Sequence, residues 1–85
     1  MPEKEEKLKA NLAMNLQYLR IRHKLSQVSL AKHLGISPRS ISYYECGRYL
    51  PPAHVLCAMA LYFGYTVEEL LGEHLPANKG GSTNK

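Results

Sequence analysis

Apolar residues in the first third of the chain recur at helical spacing. Leu8, Leu12, Leu16 and Leu19 fall at steps of three and four, predicting a helix from near Glu5 to His23. Residues 1–7 are polar and read as an extension, frayed helix or disorder. Leu25 plugs the connection to a second helix over 27–34, with Leu30, Ala31 and Leu34 on one face. A third helix over 38–46 turns Ile41 and Tyr44 inward. Pro51 and Pro52 start a fourth that ends before Gly64, with an inward stripe of Leu56, Cys57, Ala60 and Phe63 and with Met59 partly inside. Thr66-Val67-Glu68-Glu69 is a capping box that opens a short fifth helix ending near Gly72, with Tyr65 and Leu70 placed for a hydrophobic staple across it. Residues 74–85 read as a flexible tail, since 76–85 hold no apolar side chain larger than Ala77 and Pro76 and cannot bury enough surface to stay ordered. No repeat and no strand is expected. The pattern predicts an all-α, compact five-helix domain over residues 8–73.

The turn residues sharpen the second and third helices. Ser26 and Ser37 are placed to accept from backbone N–H groups at the two helix starts, and Pro38 sits where its missing N–H costs nothing. Gly35 and Gly47 follow the two helices, at the sites where a left-handed residue ends a helix. Two short helices joined by a tight turn, the second with a polar and basic outer face, form a helix-turn-helix of the kind that lays its second helix in the DNA major groove.

Leu25-Ser26-Gln27, Leu30-Ala31, Leu34-Gly35-Ile36-Ser37, Ser40-Ile41-Ser42, Tyr44-Glu45 and Gly47-Arg48 resemble the helix-turn-helix of the lambda repressor and Cro family, also called the xenobiotic-response-element-like family. Asn15 to Arg20 looks like that family's first helix, and Pro51 to Leu71 like its fourth and fifth, so the resemblance covers about residues 12–72. It implies that Pro38, Arg39, Ser42 and Tyr43 read bases. Arg39 is the best direct reader, because its fork can bond both O6 and N7 of a guanine. Tyr43 can pack on a thymine methyl or reach a phosphate, and Ser42 can donate or accept. Pro38 departs from the glutamine or arginine frequent in the family and offers only apolar contact. Gln27 is expected to clamp a phosphate at the start of the second helix. Arg48 is the next phosphate candidate, and Lys32, Arg20 and Arg22 follow. Arg20 and Glu45 match a structural salt bridge of several family members, which would brace the first helix against the third.

Eighty-five residues suffice for one small domain with a marginal core, which oligomerisation would help. The net charge is +4, and its distribution matters more than its total. From Lys7 to Arg48 the basic residues are Lys7, Lys9, Arg20, Arg22, Lys24, Lys32, Arg39 and Arg48, against Glu45 alone, while the other glutamates lie at the two ends. A basic centre coinciding with a helix-turn-helix points to nucleic acid. The charged N-terminus is no signal peptide, and Val55 to Phe63 is too short to span a bilayer. The chain therefore reads as a cytoplasmic, nucleoid-associated protein of bacterial or phage origin, with Cys46 and Cys57 as thiols.

No enzyme activity is expected: the chain has no aspartate, and no nucleophile, base and acid are suggested by spacing. Cys46, His54 and Cys57, with His23, His33 and His74, match no zinc signature, so no metal, cofactor or small-molecule ligand is expected. The fourth helix is apolar nearly all round. Val55, Ala58, Leu61 and Tyr62, with Tyr65 beyond it, exceed what an inward stripe needs and are expected to form a two-fold homodimer interface. The reading is a sequence-specific DNA-binding transcriptional regulator, a repressor that binds a palindromic operator as a homodimer. The alternatives are an antitoxin, a restriction-system controller, or a protein-interaction module on the same scaffold.

Overall fold

A computed structural model describes residues 2–76 of the chain. It contains α1 (Pro2–Arg22), α2 (Gln27–Leu34), α3 (Pro38–Glu45), α4 (Ala53–Phe63) and α5 (Val67–Leu70), and no strand occurs among the described residues. The segment expected as an N-terminal extension is the start of α1. Glu3 and Glu5 lie in its first turn, where negative charge suits the helix dipole, and Lys9 reaches back to Glu5 and Glu6 at 3.8 and 3.4 Å.

Local chemistry sets the remaining boundaries. The Ser26, Ser37 and Thr66 hydroxyls accept from the N–H groups of Ser29, Ser40 and Glu69, and the Glu69 carboxylate returns the bond to the Thr66 N–H. α2 and α3 end alike. Gly35 and Gly47 adopt φ +72° and +74°, a left-handed conformation that costs glycine little. In each case the glycine N–H and the next N–H donate to carbonyls of the last turn: Gly35 to Lys32 and Ile36 to Ala31, then Gly47 to Tyr44 and Arg48 to Tyr43.

The core gathers Leu12, Leu16 and Leu19 of α1, Leu30 and Ala31 of α2, Ile41 of α3, Val55, Met59, Ala60 and Phe63 of α4, and Leu70 of α5. Here α4 differs from the sequence expectation. Val55 is 5% exposed and belongs to the core, so it is not a surface residue, whereas Cys57 is exposed and not inward. A helix apolar on every side has no periodic signal to orient it. Volume decides: turning Val55 and Met59 inward removes more apolar surface from water than turning Cys57 and Ala58 inward. Tyr65 is likewise partly buried against the core, and its hydroxyl donates to the Pro76 carbonyl at 3.3 Å. The start of the expected tail also folds back, with Leu75 packed on the core. The rest of that tail, residues 77–85, lies outside the described residues.

A polar ladder joins α1 to the end of α5 and the segment that follows it. The Asn15 amide donates to the carbonyls of Leu70 and Gly72 at 2.8 and 3.0 Å, and the Asn11 amide to that of Leu71 at 2.9 Å. Lys7 pairs with Glu73 at 2.5 Å. The two asparagines satisfy carbonyls that a helix of four residues cannot satisfy itself. No described helix is long and apolar enough to cross a membrane.

Candidate nucleic-acid interface

α2 and α3 are braced from behind by one buried carboxylate. Glu45 projects from the last turn of α3 onto α1, where Arg20 Nε donates to Oε2 at 2.6 Å and Nη2 to Oε1 at 3.1 Å. Arg20 Nη1 donates to the Leu25 carbonyl at 2.8 Å. Gln27, the first residue of α2, donates to Glu45 Oε1 at 3.0 Å, and Gln17 of α1 donates to the Glu45 carbonyl at 3.2 Å. One side chain thus ties three helices together. All three nitrogens of the Arg20 guanidinium are engaged, through three of its five N–H donors, which makes Arg20 a brace. The Gln27 amide is likewise turned toward Glu45. Its second amide hydrogen and the N–H groups of Gln27 and Val28 at the start of α2 stay clear of the Ser26 cap, which serves Ser29.

The opposite face of α3 is open. Pro38, Arg39, Ser42 and Cys46 are exposed and Tyr43 is half-buried, while Ile41 and Glu45 point into the protein. At its C-terminal end the Tyr43 and Tyr49 rings meet edge to face, 5.3 Å apart and at 82°. The Arg48 guanidinium lies 5.4 Å from the Tyr43 ring centre and 5.8 Å from that of Tyr49. Arg48 is held above its ordinary pKa, first by hydrogen bonding to Tyr49 and then by electrostatic coupling to Tyr49 and Tyr43. It is charged at any working pH in any case, so the shift reports the contact and not a titration. Tyr49 was missed in the sequence, because a residue in a turn belongs to no periodic pattern.

Ion pairing sorts the central cations. Lys7, Lys9 and Arg20 face glutamates, whereas no described carboxylate lies within ion-pair distance of Arg22, Lys24, Lys32, Arg39 or Arg48. The cations left with uncompensated charge are those from the end of α1 through the turn after α3. Among the described residues no three His, Cys or acidic side chains gather as a metal site, and Cys46 and Cys57 are exposed free thiols.

An exposed second helix with Arg39 on its open face, held on a braced helical pair, defines a DNA-binding domain of the helix-turn-helix class. The helix-turn-helix family model matches residues 16–70, and the chain belongs to that family, whose members include the lambda repressor and Cro. It is 38% identical over 55 residues to an uncharacterised HTH-type transcriptional regulator of the archaeon Methanocaldococcus jannaschii, a match covering 65% of this chain and 83% of that protein. No solved structure matches the chain.

Proposed function

We propose that this protein is a transcriptional repressor that binds an inverted-repeat operator as a homodimer, one α3 in the major groove of each half-site. The observation that carries the reading is Arg39: exposed, free of any described carboxylate, and placed by the Ser37 cap at the start of the open face of α3. A guanidinium there has its whole fork available for the two acceptors of a guanine. Ser42, Tyr43 and Pro38 complete the base-facing set, Pro38 by apolar contact. The start of α2 with Gln27, and Arg48 and Lys32, form the phosphate-facing set. Arg20 supports the reading as the brace that fixes α3 for this work.

The dimer rests on Leu61, which is 84% exposed on the outer side of α4. Ala58 lies one turn before it, and Tyr62 beside it is stacked on His33 at 5.2 Å between ring centres. Large apolar side chains left this open on a small domain mark a partner surface, and a second copy related by a two-fold axis is the commonest occupant. No catalytic step enters this account.

Selection of bound duplexes from a random pool tests the proposal. The expected product is an inverted repeat with half-site centres about ten base pairs apart. Enrichment of no sequence, with binding that vanishes at moderate salt, would overturn specific operator recognition.

A further inference from the structure

Arg48 follows the left-handed Gly47 at the end of α3, and its own N–H is bonded to the Tyr43 carbonyl at 3.0 Å. In this type of helix ending the residue after the glycine faces the residue that supplies the carbonyl, and the two side chains normally make an apolar contact. Here that contact is a guanidinium on the Tyr43 ring, and Tyr49 closes the other side of the corner. Two perpendicular rings confine a cation that a flexible arginine would otherwise spread over many rotamers. The two ring contacts and the bond to Tyr49 leave the remaining N–H donors of the guanidinium available.

We propose that Tyr49, 50% exposed in the turn after α3, is a positioning residue for DNA binding: with Tyr43 it holds the Arg48 guanidinium pre-ordered for one backbone phosphate at the end of the recognition helix. The inference rests on the DNA-binding reading and deepens it. It also gives Tyr43 a second task. One part of its ring seats Arg48, so a base contact by Tyr43 and a phosphate contact by Arg48 are delivered as one rigid unit. Holding a side chain in its bound rotamer before association removes an ordering cost equivalent to about two- to tenfold in affinity.

The test uses the full chain and its selected duplex. Tyr49→Ala is expected to weaken binding about two- to tenfold while leaving the salt slope unchanged, because Arg48 still reaches its phosphate. Tyr49→Phe, which keeps the ring but not the hydroxyl bonded to Arg48, is expected to recover only the part of the loss that the ring supplies. In an Arg48→Ala background, Tyr49→Ala is expected to have no further effect. In the free wild-type protein the Arg48 δ-protons should show an upfield ring-current shift that Tyr49→Ala reduces. An undiminished effect of Tyr49→Ala in the Arg48→Ala background would overturn the positioning role and make Tyr49 a contact of its own. Random-coil shifts for the Arg48 δ-protons in the wild type would overturn it without recourse to any variant. If the wild type binds no duplex, the DNA-binding reading falls and takes this inference with it. If the wild type binds and the two substitutions are additive, only this inference falls.

Discussion

Arg20 and Glu45 form a two-point fork between α1 and α3, with side chains only 15% and 4% exposed. Pairs this far from water differ from surface pairs, because removing one partner strands the other's charge. Glu45→Ala is therefore expected to destabilise the protein by about 3 kcal/mol, several times the effect of an exposed pair. Urea unfolding of Glu45→Ala, Arg20→Ala and the double variant measures it. A coupling energy indistinguishable from zero would remove the pair from the account of stability.

Arg39 lies on the open face of α3. Arg39→Ala is expected to lose discrimination at one base position per half-site, by about 1–3 kcal/mol, without loss of stability. An affinity scan over single-base operator variants checks this. Equal weakening across all variants would make Arg39 a phosphate contact.

Gln27 and Arg48 should behave differently from Arg39 and from each other. Both alanine variants are expected to weaken binding with little change in base preference, because phosphate contacts position without reading. Arg48→Ala should also reduce the slope of log affinity against log salt by about one unit, and Gln27→Ala should not, since no charge is removed. An unchanged slope for Arg48→Ala would show that its charge displaces no counterion.

Val55 is buried and Leu61 exposed on α4, and paired substitutions separate core from interface. Val55→Ala is expected to lower stability by about 2 kcal/mol, through lost apolar burial and a residual cavity. Leu61→Glu is expected to keep its helix content while sedimenting as a monomer with a steep fall in operator affinity. A wild type that sediments as a monomer well above operator-saturating concentrations defeats the preformed dimer.

Glu73 has a lowered carboxyl pKa, first through its hydrogen bond with Lys7 and then through the Lys7 charge. A depressed folded-state value gives a contribution that is present above the ordinary carboxylate range and lost as pH falls through the folded pKa. Because the pair is exposed, salt should weaken it. An NMR titration of the Glu73 carboxyl is expected to return to ordinary carboxylate behaviour in Lys7→Gln and to move the same way in high salt.

The helix-turn-helix was legible because its punctuation is local. Ser26, Gly35, Ser37 and Gly47 each act on backbone groups within a few residues, so their types mark the boundaries by themselves. The rotation of α4 was not legible: Val55 and Cys57 are both small and apolar, and only the volume around them distinguishes inside from outside. The environment of Arg48 escaped for another reason. Its partners Tyr43 and Tyr49 come together only once Gly47 has turned the chain, and nothing in the spacing of two tyrosines records an angle of 82° between their rings.

Lys7, Asn11 and Asn15 recur at four-residue intervals along α1 and face Glu73, Leu71, and Leu70 with Gly72. Such a row works as a ruler. Each rung fixes the axial position of α1 against the end of α5 and the segment after it, and a slip of one turn would break every rung together. The row also makes α1 intolerant of length change in a way its leucines are not. One residue inserted between Lys7 and Asn11 would swing Lys7 by about 100° and carry the first turns off the ladder, while Leu12, Leu16 and Leu19 kept their places.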